Sequence, residues 1–210
     1  MPDRFERYTV ESEDLTVEVV PGRGAKIASV FDRRRGRELL QRPEEHGGDP
    51  RDIDPPTYGD AFDARHAWGW DEMFPAIRAE VFRLEGGVSI NVPDHGEVWT
   101  LPWRIERRDD DAVTTSVDGR SVPYRLSRTL AVRGAAVRLD YTLENTGEHP
   151  LPWMWAAHPL FALVDGMRIG APPRRREIRN ALATPELPEY DRVYRYPVAE
   201  ARDDGAPEDP

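Results

Sequence analysis

The fold is decided by the stretch LTVEVVPGRGAKIASVF, residues 15–31. Apolar and polar side chains alternate along Leu15–Val19, which is typical of a strand with one buried face. Pro21-Gly22-Arg23-Gly24 then has the composition of a turn, and the strand-like pattern resumes along Ala25–Phe31. The stretch therefore predicts a β-hairpin.

The same alternation recurs along most of the chain. It predicts further strands at Ala79–Leu84, Val88–Val92, Val98–Glu106, Ala112–Val117, Tyr124–Val132, Val137–Leu143 and Trp153–Leu163. Turn residues separate most of them, at Gly86-Gly87, Asp118-Gly119, Arg133-Gly134 and Asn145-Thr146-Gly147. No stretch longer than about ten residues has the apolar stripe of a helix. These patterns predict an all-β fold, an antiparallel β-sandwich with few, short helices.

A length of 210 residues fits a single domain of this class. We expect the sandwich to occupy residues 1–170, with a long irregular surface loop at about 42–66, where Pro, Gly, Asp and Glu are frequent. Residues 171–210 are rich in Pro and Arg and end in an acidic stretch. Their low apolar content predicts a partly disordered tail.

Composition narrows the classes of partner. The net charge of -10 disfavours binding to nucleic acid. No apolar run approaches the roughly 20 residues of a membrane-spanning helix, and the N-terminus lacks the pattern of a secretory signal, so we expect a cytoplasmic protein without a membrane partner. The absence of cysteine excludes disulfides and thiolate metal sites. No phosphate-binding loop or zinc-site spacing is present, and we expect no cofactor.

Three segments place large rings beside titratable groups: Trp68–Pro75, Pro93–Trp103 and Leu151–Phe161. Aromatic faces can cover the apolar face of a sugar ring, while carboxylates and imidazoles bind its hydroxyl groups. The residues alone leave another interpretation open. The tryptophans could belong to the core, and His158 could be a buried histidine that binds a backbone carbonyl.

Four motifs, one in the early turn and strand and one in each of the three segments above, follow the order of the aldose 1-epimerase family of the galactose mutarotase-like superfamily and resemble it. Pro21–Val30 is similar to the family's opening strand and turn, and Gly69–Pro75 to a variant found in the broader group. His95–Trp99, followed by Pro102-Trp103, resembles the motif that carries a substrate-binding histidine. Ala157–Phe161 resembles the family's His-Pro-x-Phe motif.

The resemblance implies an isomerase that acts on the anomeric centre of a small-molecule carbohydrate by opening and closing its ring, without a cofactor. It implies that His158 is the general acid and that His95 shares the catalytic site. The residues expected to bind the sugar are Trp70, Asp71, Glu72, Trp99 and Trp155.

The sequence also departs from the family pattern. Family members continue into a segment that carries a catalytic glutamate base, whereas this sequence stops at Pro210; an arginine expected near Gly69 is absent as well, which disfavours galactose as substrate. We therefore expect an incomplete sheet whose open edge allows homo-oligomers to form, and Asp71 or Glu72 as a substitute base. The alternative function is a non-catalytic carbohydrate-binding domain, or an inactive fragment that lacks the glutamate.

Overall fold

The structure is a computed structural model that describes residues 6–43, 53–63, 65–167, 170, 177–180 and 189–195. The chain divides into two compact units, Met1–Leu163 and Val164–Pro210. Most of the tail for which we predicted disorder lies outside the described residues, as does much of the predicted loop at 42–66. The predicted domain boundary at residue 170 stays a prediction.

The described part of the first unit consists of short strands joined by turns. They are β1 (Tyr8–Glu11), β2 (Leu15–Val20), β3 (Lys26–Asp32), β4 (Arg37–Glu38), β5 (Trp70–Met73), β6 (Glu80–Arg83), β7 (Ser89–Val92), β8 (Arg104–Arg108), β9 (Ala112–Asp118), β10 (Tyr124–Arg133), β11 (Ala136–Asn145) and β12 (Ala156–Pro159). The second unit contains an antiparallel pair, β13 (Glu177–Arg179) and β14 (Val193–Arg195).

The strands of the first unit form two main sheets. The first sheet has the order β1-β2-β3-β5-β12, with β4 paired to β3, and the second has the order β11-β10-β9-β8. A separate hairpin joins β6 to β7 through a 3₁₀ turn at Glu85–Gly87. Every pairing of named strands is antiparallel, and the described residues contain no α-helix. The predicted antiparallel all-β fold is confirmed, including its first hairpin, β2–β3.

One core lies between the two sheets because alternate side chains of each strand point to the same face. Along β10 the side chains at every second position, from Tyr124 to Val132, are buried. They meet buried apolar side chains of the first sheet, among them Val17, Val19 and Ile27. Burial of such side chains is the main favourable contribution to folding.

A charged residue, Arg128, occupies one inward position of β10. Its guanidinium donates from Nη1 to Oε1 of Glu72 on β5 at 2.9 Å, and from Nη2 to the carbonyl oxygen of Ala25. Glu72 also accepts from the Tyr141 hydroxyl at 2.6 Å and from the Trp155 indole at 2.9 Å. Neither side chain of the ion pair is more than 1% exposed. This pair and its partners connect the two sheets through the core.

Strand boundaries differ from the predicted ones where the backbone turns. The strand predicted at Val98–Glu106 begins only at Arg104, because Thr100 closes a turn by donating its amide and its hydroxyl to the Glu97 carbonyl. The strand predicted at Trp153–Leu163 is confined to β12. The sequence patterns do not predict strands β1, β4, β5, β13 and β14.

The ion pair between the sheets generates a prediction about stability. Replacing one partner, in Arg128→Met or Glu72→Leu, leaves a buried charge without its counter-charge, and we expect each change to lower the free energy of unfolding by about 3–5 kcal/mol. The double variant removes both charges and should lose clearly less than the sum of the two. Urea denaturation followed by circular dichroism measures all three. Additive losses would contradict a coupled pair.

Candidate functional site

One turn and one strand bring the two motif histidines together. His158 lies on β12, directly opposite Asp71 of β5. His95 lies in the turn between β7 and β8, where it and Gly96 have φ angles of 62° and 71°. A Cβ atom at Gly96 would lie 2.2 Å from the Phe74 carbonyl oxygen, so glycine is required for this turn to pack against the end of β5. The two imidazole centroids are 5.3 Å apart, with the rings at 82° to each other.

Two neighbours hold the His95 ring. Its Nδ1 lies 2.7 Å from Oδ2 of Asp94. An ionised carboxylate can only accept a hydrogen bond, so Nδ1 carries the proton and Nε2 of the neutral ring is an acceptor. The phenyl ring of Phe62 stacks on the imidazole at a centroid distance of 4.5 Å and an interplanar angle of 11°. The His95 side chain remains 20% exposed, so a ligand can still reach the ring.

Phe62 is the centre of a larger group of rings. Its edge-on contacts reach His158 at 5.0 Å and Trp99 at 5.2 Å. His66 in turn lies 5.6 Å from Trp99. We call these five residues, Phe62, His66, His95, Trp99 and His158, the histidine cluster. It contains three of the chain's five histidines.

A buried ion pair lies next to the cluster. Lys26 on β3 donates to Oδ2 of Asp71 and to the carbonyl oxygens of His66 and Trp68, at 3.1 Å and 2.7 Å for the carbonyls. Oδ1 of Asp71 has no hydrogen-bond partner among the described residues. Burial raises the pKa of Asp71, and the nearby Lys26 ammonium opposes that rise. Burial lowers the pKa of Lys26, and Asp71 opposes the fall.

Two histidines of the cluster resist protonation. The pKa of His158 is lowered, first by burial and then by His95, while the Asp71 carboxylate acts in the opposite direction. The pKa of His66 is lowered chiefly by burial. Nδ1 of His158 is buried and has no hydrogen-bond partner within the described part of the chain. Burial therefore favours the neutral form of both rings.

The residues predicted to bind sugar divide between two faces of β5. Asp71 points toward the histidine cluster, and Trp99 belongs to it; both are almost completely buried. Glu72 lies on the opposite face, between the sheets, where it accepts from the indole of the exposed Trp155, and Trp70 packs against the main core. The structure therefore brings Trp99 and Asp71 to the two histidines and places the other three elsewhere.

The sequence analysis did not identify Phe62, His66 or Lys26 as parts of this region. Phe62 and His66 come from the loop predicted at 42–66, where no alternation or motif indicates which side chains turn inward. A signal for Lys26 did exist, because it is the only lysine of the chain and lies inside a strand whose neighbours are apolar. A lysine at such a position needs a buried counter-charge.

Neither a metal site nor a membrane-spanning helix is found within the described ranges. No three His, Asp or Glu side chains there are grouped so that they could hold a metal ion. No helix there is long and apolar enough to cross a bilayer. The expectation that the protein uses no cofactor stays a prediction.

Comparison with solved structures places this arrangement in a known fold. A galactose mutarotase-related enzyme from Lactobacillus acidophilus superposes with a TM-score of 0.61, at 14% identity, over 78% of this chain and 52% of that one. A galactose mutarotase-like protein from Lactobacillus casei gives 0.59 at 16% identity, over 83% and 54%. The chain has the fold of the galactose mutarotase-like proteins. No family model and no curated protein sequence matches it.

A third structure with the mutarotase-like fold comes from Escherichia coli K12 and is a candidate aldose 1-epimerase. It superposes with a TM-score of 0.58 at 17% identity, over 93% of this chain and 64% of that one. The chain thus spans between about half and two thirds of the length of these three structures. At these identities the likeness shows the fold alone.

The lowered pKa values generate a prediction about pH. In the folded chain His66 and His158 bind protons less readily than in the unfolded chain, so stability is lost as the pH falls through about 6.5. Between about pH 7.5 and about pH 5.5, the double variant His66→Gln/His158→Gln should lose less free energy of unfolding than the unaltered chain. Urea denaturation at both pH values measures the difference. The control is His149→Gln, at an exposed histidine.

That control should keep the pH dependence of the unaltered chain. An equal loss of stability in the double variant and the unaltered chain would show that the two buried histidines are not responsible for it.

Proposed function

We propose that this chain is an isomerase of the aldose 1-epimerase kind, which interconverts the anomers of a small-molecule sugar or sugar derivative. The observation that carries the proposal is the meeting of His95 and His158, with ring centroids 5.3 Å apart, in a galactose mutarotase-like fold. Anomer exchange needs one group that accepts a proton and one that donates a proton, both within reach of the same sugar ring. Two adjacent histidines supply both groups.

The proposed reaction moves one proton in each direction. A base removes the proton from the anomeric hydroxyl, the bond between the anomeric carbon and the ring oxygen breaks, and an acid protonates the ring oxygen. The resulting open-chain aldehyde rotates about the bond to its neighbouring carbon. Reversal of the proton transfers then closes the ring to the other anomer, so the enzyme ends with the protons it began with.

We assign the base to His95 and the acid to His158. Asp94 holds the proton on Nδ1 of His95, which leaves Nε2 as an acceptor, and the same carboxylate stabilises the imidazolium that forms. This assignment supplies a base from the residues present, in place of the glutamate that the family resemblance implies. The lowered pKa means that fewer molecules carry His158 as the imidazolium that the acid role needs, but this imidazolium is the stronger acid toward the ring oxygen.

Of the five residues predicted to bind sugar, we place two, Trp99 and Asp71, near the sugar. Trp99 forms a wall of the histidine cluster, and Asp71 acts on the cluster through its charge next to His158. We assign Trp70 and Glu72 to the core between the sheets. Trp155 is 39% exposed, and its indole donates to Glu72. The cytoplasmic location and self-association through an open sheet edge stay predictions.

A second candidate function is carbohydrate binding without catalysis. It is favoured by the state of the carboxylates near the site. Asp71 is 1% exposed, and Glu97 is 0% exposed and already accepts from the Tyr124 hydroxyl and the amides of Arg120 and Ser121. If His95 is not a competent base, neither carboxylate can replace it, because burial keeps a ligand away from Asp71 and Glu97 is both buried and already bound. Measuring binding and anomer exchange on the same sample separates the two functions.

We expect His158→Asn to lower the rate of anomer exchange by about 100-fold or more, because a positioned general acid contributes about 10²- to 10⁴-fold. Polarimetry of freshly dissolved glucose, galactose and glucose 6-phosphate measures the rate, and calorimetry measures binding. His149→Asn, at an exposed histidine, is the matched control and should keep the full rate. Sugar binding by the unaltered chain without any rate above buffer would favour the binding domain instead.

The role of Asp94 can be tested separately. Asp94→Asn keeps the size of the side chain but removes its charge. The amide can donate as well as accept, so the proton of the His95 ring is no longer held on Nδ1. We expect the catalytic rate constant to fall by about tenfold, less than at a buried dyad, since the Asp94 side chain is 50% exposed and solvent can partly replace it. The same polarimetric assay decides this, and an unchanged rate would remove Asp94 from the mechanism.

A further inference from the structure

Phe62 contacts both histidines of the proposed reaction, and no motif accounts for it. Its ring lies flat on His95 at 4.5 Å and meets His158 at 5.0 Å and Trp99 at 5.2 Å. Phe62 itself is half-buried, so one part of its ring is fixed by these contacts while another part faces solvent. No other ring in the described residues has contacts with both His95 and His158.

The stacked contact constrains the direction of the His95 nitrogens. The bond to Asp94 fixes one point of the imidazole, Nδ1, and leaves the ring free to rotate about that point. A flat ring at an interplanar angle of 11° removes that freedom by fixing the plane. Nε2, the proposed proton acceptor, is thereby aimed in one direction. The direction of a reacting group matters for catalysis, because a small misplacement lowers the rate by a large factor.

The edge-on contact affects the second histidine differently. His158 is half-buried, and the charged or titratable groups that act on it are His95, Asp71 and Lys26. The Phe62 ring covers part of the His158 imidazole without carrying a charge of its own. Removing this ring would leave those three groups in place and let water reach the imidazole, which favours its charged form.

We propose that Phe62 is a positioning residue for both histidines, which fixes the plane of His95 and excludes water from His158. The kinetic consequence of this proposal rests on the proposed function. The consequence for the two imidazoles does not, because it follows from the ring contacts alone.

The test uses the full chain with Phe62→Ala, Phe62→Leu and Phe62→Tyr, and with Phe31→Ala as the matched control at an exposed phenylalanine on β3. Proton–carbon NMR of the imidazole Cε1 positions follows the histidine resonances against pH. They are assigned by single replacements of the five histidines.

In Phe62→Ala we expect the pKa of His158 to rise toward the ordinary value of 6.5, and the His95 Cε1 proton to lose the ring-current shift that a stacked phenyl ring causes. Phe62→Leu should keep the low pKa of His158 but lose the ring-current shift. Phe62→Tyr and Phe31→Ala should resemble the unaltered chain in both respects. An unchanged His158 pKa and an unchanged His95 shift in Phe62→Ala would overturn the proposal.

If Phe62→Ala does not fold, the proposal is decided on Phe62→Leu, where a retained ring-current shift would overturn it. The kinetic measurement adds a second criterion. Phe62→Ala and Phe62→Leu should lower kcat by about tenfold or more with little change in KM, and Phe62→Tyr should restore kcat. If the unaltered chain exchanges no anomers, the proposed function fails while the NMR titration still decides the role of Phe62.

Discussion

The sandwich depends on an ion pair that crosses its core. Arg128 of β10 and Glu72 of β5 face each other at 2.9 Å in a space from which water is excluded. Removing two charges from water is costly, and the cost is offset only if nearly every donor and acceptor finds a partner. Glu72 meets that condition with donors from Arg128, Tyr141 and Trp155. A different register between the sheets would break this set of contacts, so the pair specifies how the sheets are aligned.

The same strand that carries Glu72 also organises the histidine cluster. Because successive side chains of a strand point to opposite faces, Glu72 faces the second sheet while Asp71 faces Lys26 and His158. Just after β5, Phe74 binds the turn that carries His95. The backbone amide of Glu97 donates a hydrogen bond to the Phe74 carbonyl oxygen at 2.8 Å. Alignment of the sheets and placement of the two histidines thus follow from one short strand.

Sequence reasoning succeeded where the information was local. The hairpin β2–β3 was predicted because alternation and turn residues lie within a few positions of each other. Glu72 and Arg128 are 56 residues apart, and no local pattern shows that one neutralises the other. Phe62 lies in a loop whose path depends on contacts made after the sheets have formed. The resemblance to a family indicated His95 and His158, but it did not indicate the rings that hold them.

The adjacent carboxylates of β5, Asp71 and Glu72, differ in how many of their oxygen atoms have hydrogen-bond partners. This difference distinguishes the carboxylate that aligns the sheets from the one beside the proposed site. Glu72 accepts hydrogen bonds from three side chains, so a further donor nearby would stabilise its carboxylate little. Asp71 is bound at Oδ2 by Lys26, while Oδ1 has no partner among the described residues, and burial raises its pKa. The ionised form of such a buried carboxylate is stabilised by a positive charge beside it. In the proposed reaction the charge on His158 changes when it donates its proton, and Asp71 and Lys26 both lie close enough to act on that charge. The ion pair that aligns the sheets lies on the other face of β5 and keeps its contacts.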